Sequence, residues 1–515
     1  MAAGGLYQGI SSDTLDVQSC HKFFTVLVNC LSKPSDKAVR QHLYGSLIFY
    51  LLHTKVTKTP ELPSIVLERY EDLDENFHFS SLQQLDGVHE ILDQGNMSIL
   101  QQQASRLVQA LSQDVSDGAH FTRALALHAL SMLVAADPLG TVLQEVLSSG
   151  VAAALVRDLE SLAAGSLGRA APAADLYTFK AVLTLHLEVA CAKEGCLALA
   201  SSGVVRALAS SRVVEAALDS VTGPRHRADQ LSEIAHLALQ IVLAVSVGLP
   251  DSRDVAQHVR EFLERHSKVL FSCLNANTLT IASVVMSILS QLFRGPNPLD
   301  PFFVAQCRGH IVSLAWDVLP PARIRDAVAG LREAAIRDFT DGTGVGAEIT
   351  RLMGITVSTL ECLKSMAQGE DEAFERPRSG GEWHARSHGK QLVTADLLER
   401  TLVSAQEILS DLLEVKHQIS SYLEETHDSP RVLAARMARA TEVEAFTASA
   451  VMVLEHALHV LFKIGAGDPD RVLPVLDRLL GVVGGQGTTV AKIALEPLHV
   501  LVRQFRHSLS TASRR

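Results

Sequence analysis

Apolar residues return every three or four positions from the first helix-forming stretch to the last, and no apolar–polar alternation persists anywhere. That period is the turn of an α-helix, about 3.6 residues, and not the two-residue repeat of a half-buried strand. Each segment so patterned carries an oily stripe that another helix must cover. The pattern predicts an all-α fold. A chain of 515 residues exceeds what one compact core usually supports, so the helices are expected to stack as HEAT- or armadillo-like pairs into an α-solenoid whose core grows with length.

The pattern places helices near 17–31, 84–95, 98–114, 119–136, 139–149, 151–164, 174–201, 228–248, 252–274, 278–294, 301–319, 321–339, 347–368, 394–425, 430–465, 470–483 and 488–510. A further helix opens at Pro34 and carries Val39, Leu43, Leu47 and Leu51 on one face with Tyr44 and Ile48 beside it. Pro138, Gly150, Gly203, Pro250, Gly295-Pro296 and Pro320-Pro321 stand where the pattern stops. One internal echo supports repetition. Leu147-Ser148-Ser149-Gly150-Val151 returns 53 residues later as Ala200-Ser201-Ser202-Gly203-Val204. In each copy the glycine is expected to make a left-handed turn between paired helices.

Three stretches read as loops: 219–227, 340–346 and 368–391, the last rich in Gly, Glu, Arg, Ser and His. The resulting organisation is a disordered N-terminus over 1–16, a helical-repeat solenoid over 17–367, a flexible linker over 368–391 and a C-terminal helical cap over 392–511. Within the cap, Leu397 to Leu423 and Val432 to Ile464 are expected to form a hairpin around Asp428-Ser429-Pro430.

Charge and motifs exclude more than they suggest. With 46 Lys+Arg against 57 Asp+Glu the net charge is -11, the wrong sign for a chain built to neutralise nucleic acid or anionic lipid. Seven cysteines lie scattered in Leu/Val-rich segments behind an N-terminus without a signal peptide, which reads as reduced, mostly buried thiols in cytosol or nucleus. The most membrane-like runs, Ile234 to Leu249 and Ala448 to Ile464, are interrupted by polar residues. Gly342-Thr343-Gly344-Val345-Gly346 lacks the strand setting of a phosphate loop, and Gly481 to Gly487 reads as a helix end. Cys191 and Cys196 have no second metal-ligand pair, His384 and His388 lie in a loop, and no Glu stands between His456 and His459 as a metalloprotease helix requires. Arg503, Arg506, His507, Arg514 and Arg515 read as a solvated basic end. No catalytic, cofactor or metal residue is expected, and no small-molecule substrate.

The string Val39-Arg40-Gln41-His42-Leu43-Tyr44-Gly45-Ser46-Leu47-Ile48-Phe49-Tyr50-Leu51 resembles the Arg-x-x-Leu-Tyr-Gly-x-Leu-x-x-Tyr-Leu helix of the large inner-ring scaffold nucleoporins of the 205/192 type, in their carboxy-terminal part. Arg123 to Leu130, Leu147 to Val151, Leu176 to Leu208, His226 to Val245, His258 to Ser267 and Arg308 to Ile311 follow in the family's order, covering roughly residues 20–320. Members of that family are much longer, so this chain is expected to be a fragment or a short form. The resemblance implies a structural constituent of the nuclear pore complex at the nuclear envelope. Its implied partners are neighbouring inner-ring nucleoporins that dock linear segments on the solenoid. Arg40, Leu43, Tyr44, Gly45, Leu47, Tyr50 and Leu51 are then structural residues of the signature helix, and Leu402, Leu409, Leu413, Val453, Leu461 and Phe462 are candidates for a partner groove. The rival reading is a cargo-binding module of the transport-receptor type.

Overall fold

The computed structural model describes residues 17–33, 36–54, 87–137, 139–165, 173–221, 228–274, 279–295, 299–337, 343–368, 374, 392–425, 430–464, 472–478 and 502–503. Among them the fold is all-α, with one isolated parallel bridge between Phe374 and Val393. The helices are α1 (Val17–Leu31), α2 (Lys37–Thr54), α3 (Gly87–Asp117), α4 (His120–Ala136), α5 (Thr141–Ser148), α6 (Val151–Gly165), α7 (Ala173–Ala190), α8 (Lys193–Ser201), α9 (Val204–Ser210), α10 (Arg212–Val221), α11 (Ala228–Gly248) and α12 (Arg253–Arg265). They continue as α13 (Ser267–Leu274), α14 (Leu279–Arg294), α15 (Pro301–Val318), α16 (Ala322–Arg337), α17 (Thr343–Gln368), α18 (Ala395–Glu425) and α19 (Pro430–Ile464). Residues 472–478 add a short helical piece.

The chain divides into two compact units, with the later division between Val269 and Leu270. In the first unit the long helices α2, α4, α7 and α11 lie side by side in one layer, while α1, α3 and the shorter helices form the other. Polar ties pin the layers without filling them. Gln41 Nε2 donates to Thr122 Oγ1 at 2.7 Å, and Arg123 pairs with Asp158 and Lys180 with Glu233. In the second unit α17 packs against α14, α15, α16 and α19, and α18 lies against α16 and α19. Neighbours on every side explain why residues 352–363 of α17 are all buried. Hydroxyls inside that core are satisfied by their own helices, as where Thr356 and Thr359 donate to the carbonyls of Leu352 and Ile355. This helix-pair stacking within each unit is the solenoid organisation that the period predicts.

Several boundaries fall where the sequence puts them, because local chemistry sets them. Asp300 caps α15 by accepting from Phe302 N, with Pro301 in the first turn, and Ser252 caps α12 by accepting from Val255 N. Gly150 and Gly203 are left-handed at φ 71° and 79°, which is the turn that the echo predicts between α5 and α6 and again between α8 and α9.

Other boundaries differ. The expected break between 84–95 and 98–114 does not exist, because α3 runs through it. His21 of α1 lies over Gly95 where a Cβ would stand, and Asn96 accepts a hydrogen bond from Tyr50. The single helix expected over 174–201 is two. Cys191 N and Ala192 N reach back only three residues, to the carbonyls of Glu188 and Val189, which closes α7, and Gly195 then approaches the Val189 carbonyl too closely for any side chain. The helix expected over 252–274 breaks at His266, whose Nε2 meets the Ala209 carbonyl at 3.3 Å. The loop expected over 340–346 ends early, since α17 starts at Thr343 and places Gly344 and Gly346 within a helix. Residues 1–16, Pro34, 369–391 apart from Phe374, and most of 479–515 lie outside the described residues. The helices flanking 368–391 belong to the same compact unit.

The two kinds of glycine predict different costs. Gly150→Ala meets nothing within 4 Å, so only the left-handed backbone is penalised, by about 1 kcal/mol. Gly195→Ala would put its Cβ 1.8 Å from the Val189 carbonyl and should lower the urea midpoint clearly more, since backbone must move.

Candidate interaction surfaces and the signature helix

The signature helix α2 faces two ways. On its inner side Tyr44, Leu47, Tyr50 and Leu51 are buried, as are Phe24, Leu27 and Val28 of α1. Tyr50 stacks on Phe24 with centroids 4.9 Å apart, and its hydroxyl donates to Asn96 Oδ1 at 3.0 Å. Nearly two turns earlier, the Tyr44 hydroxyl donates to Asp114 Oδ2 at 2.5 Å while Arg40 Nη1 sits 3.0 Å from Asp114 Oδ1. Spacing explains the trio, because positions four apart share a helix face and both side chains reach one carboxylate. Burial, reinforced by the carboxylate it bonds, raises the Tyr44 phenol well above its ordinary pKa, so it stays a neutral donor. The lock therefore fastens α2 to α3 at two levels, Asn96 near one end and Asp114 near the other. Leu43 is half-buried, and Gly45 faces outward.

Asp114 and Asn96 were not singled out by the sequence reading. A signal existed for Asp114: it falls on the buried stripe of Leu107, Leu111 and Val115, where a carboxylate requires a partner.

The two helices of the late hairpin pack together, α18 on α19 with Lys416 Nζ 2.7 Å from Glu444 Oε1, while Asp428 and Ser429 of the expected turn lie outside the described residues. Most of the expected groove is core. Leu402, Leu409, Val453 and Leu461 are buried, Leu413 is half-buried, and Phe462 is exposed. Stripes on two long antiparallel helices are consumed by one another and by α17, which leaves Leu413 and Phe462 as the candidates that are not buried.

The chemically suggestive residues fall in different surroundings. No group of three or more metal-ligating side chains occurs among the described residues. Cys196 is buried, its thiol donating to the Ala190 carbonyl at 3.0 Å and pushed up to about 11 by burial, whereas Cys191 is exposed, unlike the buried thiol expected. His456 is buried and His459 half-buried, and Arg503 is exposed. His384, His388, Gly481 to Gly487, Arg506, His507, Arg514 and Arg515 lie outside the described residues. The windows Leu231–Gly248 and Arg439–Ile464 are long and apolar enough to cross a membrane, but the second is 83% buried inside its unit.

The polar contacts thus join helix to helix, and the described residues define an all-α protein of packed helix pairs. The sequence profile described as "Nuclear pore complex scaffold, nucleoporins 186/192/205" matches residues 7–293. The chain belongs to that family. A curated relative, the nuclear pore complex protein Nup205 of Homo sapiens, is 26% identical over 262 residues, covering 48% of this chain. The aligned stretch is 13% of that relative's length. Among solved structures, the crystal structures of SYS-1 and of SYS-1/POP-1 align at TM-score 0.30 with 10% and 11% identity, over 95% and 94% of this chain and 99% of theirs. Family membership locates the chain at the nuclear pore complex of the nuclear envelope, in a scaffold and not an enzyme family.

Two measurements check these contacts. Tyr44→Phe removes a buried donor from Asp114 and should destabilise the first unit by about 1–3 kcal/mol, read as a lower denaturant midpoint. His186 is wholly buried, its Nε2 donating to the Ala152 carbonyl at 3.1 Å, and burial lowers its pKa to about 4. The unfolded imidazole takes up a proton near its ordinary pKa of about 6.5 while the folded one does not. The contribution is therefore full above that pH and lost progressively toward pH 4, on the order of 3 kcal/mol in total. His186→Leu should flatten stability against pH over that window.

Proposed function

We propose that the chain serves as an inner-ring scaffold segment of the nuclear pore, holding neighbouring nucleoporins in place and so supporting pore assembly and nucleocytoplasmic transport. The single observation that carries this is the family match through residues 7–293, within which the signature helix is fixed by Arg40, Tyr44 and Tyr50. Stacked helix pairs offer extended surfaces suited to linear segments and amphipathic helices of other proteins. In the late hairpin, Leu413 and Phe462 are the positions still open to such a role. Binding nucleic acid, a small-molecule substrate or the bilayer directly is no part of the proposal.

A tagged chain should give a nuclear-rim pattern, recover slowly after bleaching and co-purify inner-ring nucleoporins. Diffuse staining with fast recovery, or purification without those proteins, would refute the scaffold role.

A further inference from the structure

The first helix pair is poor in acids for so acidic a chain. From Val17 to Thr54 the only acid is Asp36, against Lys22, Lys33, Lys37 and Arg40, and Arg40 is engaged inward with Asp114. The outer side of α1 carries Lys22, Val26 and Asn29 at intervals of four and three residues, one stripe of a helix, with Lys33 two residues beyond its end, and all four are exposed. Val26 is 60% exposed, Phe23 beside it 38%, and on α2 Phe49 and Leu52 are 40% and 58% exposed. The Phe23 ring lies 5.7 Å from that of Tyr50, which brings the exposed apolar side of α1 to the end of α2 where Phe49 and Leu52 emerge.

Isolated surface apolar residues need no explanation, but five on one helix pair, exposed Val39 of α2 being the fifth, bracketed by cations and almost free of acids, define complementarity. Lys22 stands nine positions before the last residue of α1, about 14 Å along the axis at about 1.5 Å per residue, and Lys33 follows two residues further on. A ligand that satisfies both lysines while covering Phe23 and Val26 needs carboxylates at that separation with an apolar stripe between them. An amphipathic α-helix of about three turns has that geometry.

We infer that the outer face of the α1–α2 pair, through Lys22, Phe23, Val26, Lys33, Phe49 and Leu52, is a docking surface for an acidic amphipathic helix of a partner protein. This deepens the scaffold reading, on which it rests for the idea that the chain holds partners, but its test needs no pore and can fail independently of localisation. Two lysines are too few for strong attachment to an anionic bilayer, where each contributes only about 1 kcal/mol, so a protein helix is the occupant favoured.

The test displays two libraries of amphipathic helices, identical in apolar stripe but flanked by Glu in one and by Lys in the other, and selects each against the purified full-length chain. Clones should enrich from the Glu library alone. They should lose at least tenfold in affinity on Val26→Glu or Leu52→Glu and on Lys22→Glu with Lys33→Glu, with the melting temperature unchanged, because all four positions are exposed. Phe302→Glu, at a 79% exposed phenylalanine of the other unit, should leave binding intact. No enrichment, equal enrichment from both libraries, or clones indifferent to the α1 and α2 substitutions would overturn the inference. So would sedimentation showing that wild type self-associates through this face, or flotation with phosphatidylserine vesicles abolished by the same changes without helix binding.

Discussion

The fold follows from the width of its apolar stripes. A helix such as α17, buried on every side over residues 352–363, cannot be satisfied by one partner and must sit inside a layer, with α14, α15, α16 and α19 around it. A stripe of ordinary width, such as that of α12 with Val255, Val259, Phe262 and Leu263 inside, needs covering on one side only and suits the edge of a layer. Layers of this kind lengthen by adding pairs, each burying what its predecessor exposes. Little aromatic volume is needed, which fits a chain of 47% apolar but only 5% aromatic residues.

Within that apolar frame the polar side chains choose which helices meet. Apolar stripes are interchangeable to first order, but a buried carboxylate is not, because leaving it unpaired costs several kcal/mol. Asp114 accepts only a neighbour bringing both a guanidinium and a phenol one turn apart, and α2 brings Arg40 and Tyr44. The most recognisable string in the sequence is thus the part of the fold with the most exacting chemistry. Its outward positions are free of that constraint: nothing lies within 4 Å of a Cβ built on Gly45.

Much of this architecture was legible because most helix ends are written locally. Asp300-Pro301, Ser252 and the two left-handed glycines each carry a cap or turn in their own chemistry. What stayed hidden depends on neighbours far along the chain. Gly95 reads as a break until His21 is found above it, and residues 191–192 and 266 read as helix until the packing bends them. The late hairpin shows the same limit of a local signal: a stripe shows that Leu402 and Leu461 must be covered, and the cover comes from within the same hairpin and from α17. Sequence period reports how much surface a helix must hide, while the identity of what hides it is a property of the tertiary fold.

The contacts between α16 and α18 illustrate how weak interactions can still be decisive. Arg325 meets Glu407 at 3.3 Å and Arg332 meets Glu414 at 2.8 Å, both pairs 82 residues apart in the chain. A constant offset means that the two helices run in the same direction and stay in step for two turns. Each bridge is about half exposed and adds little stability alone. Slide α18 by one turn either way, however, and Arg325 faces Val403 or Asp411 while Arg332 faces Ser410 or Gln418, so neither displaced alignment keeps both charges matched. The pair works as a vernier, reading the relative position of two smooth rods whose greasy contacts would tolerate several.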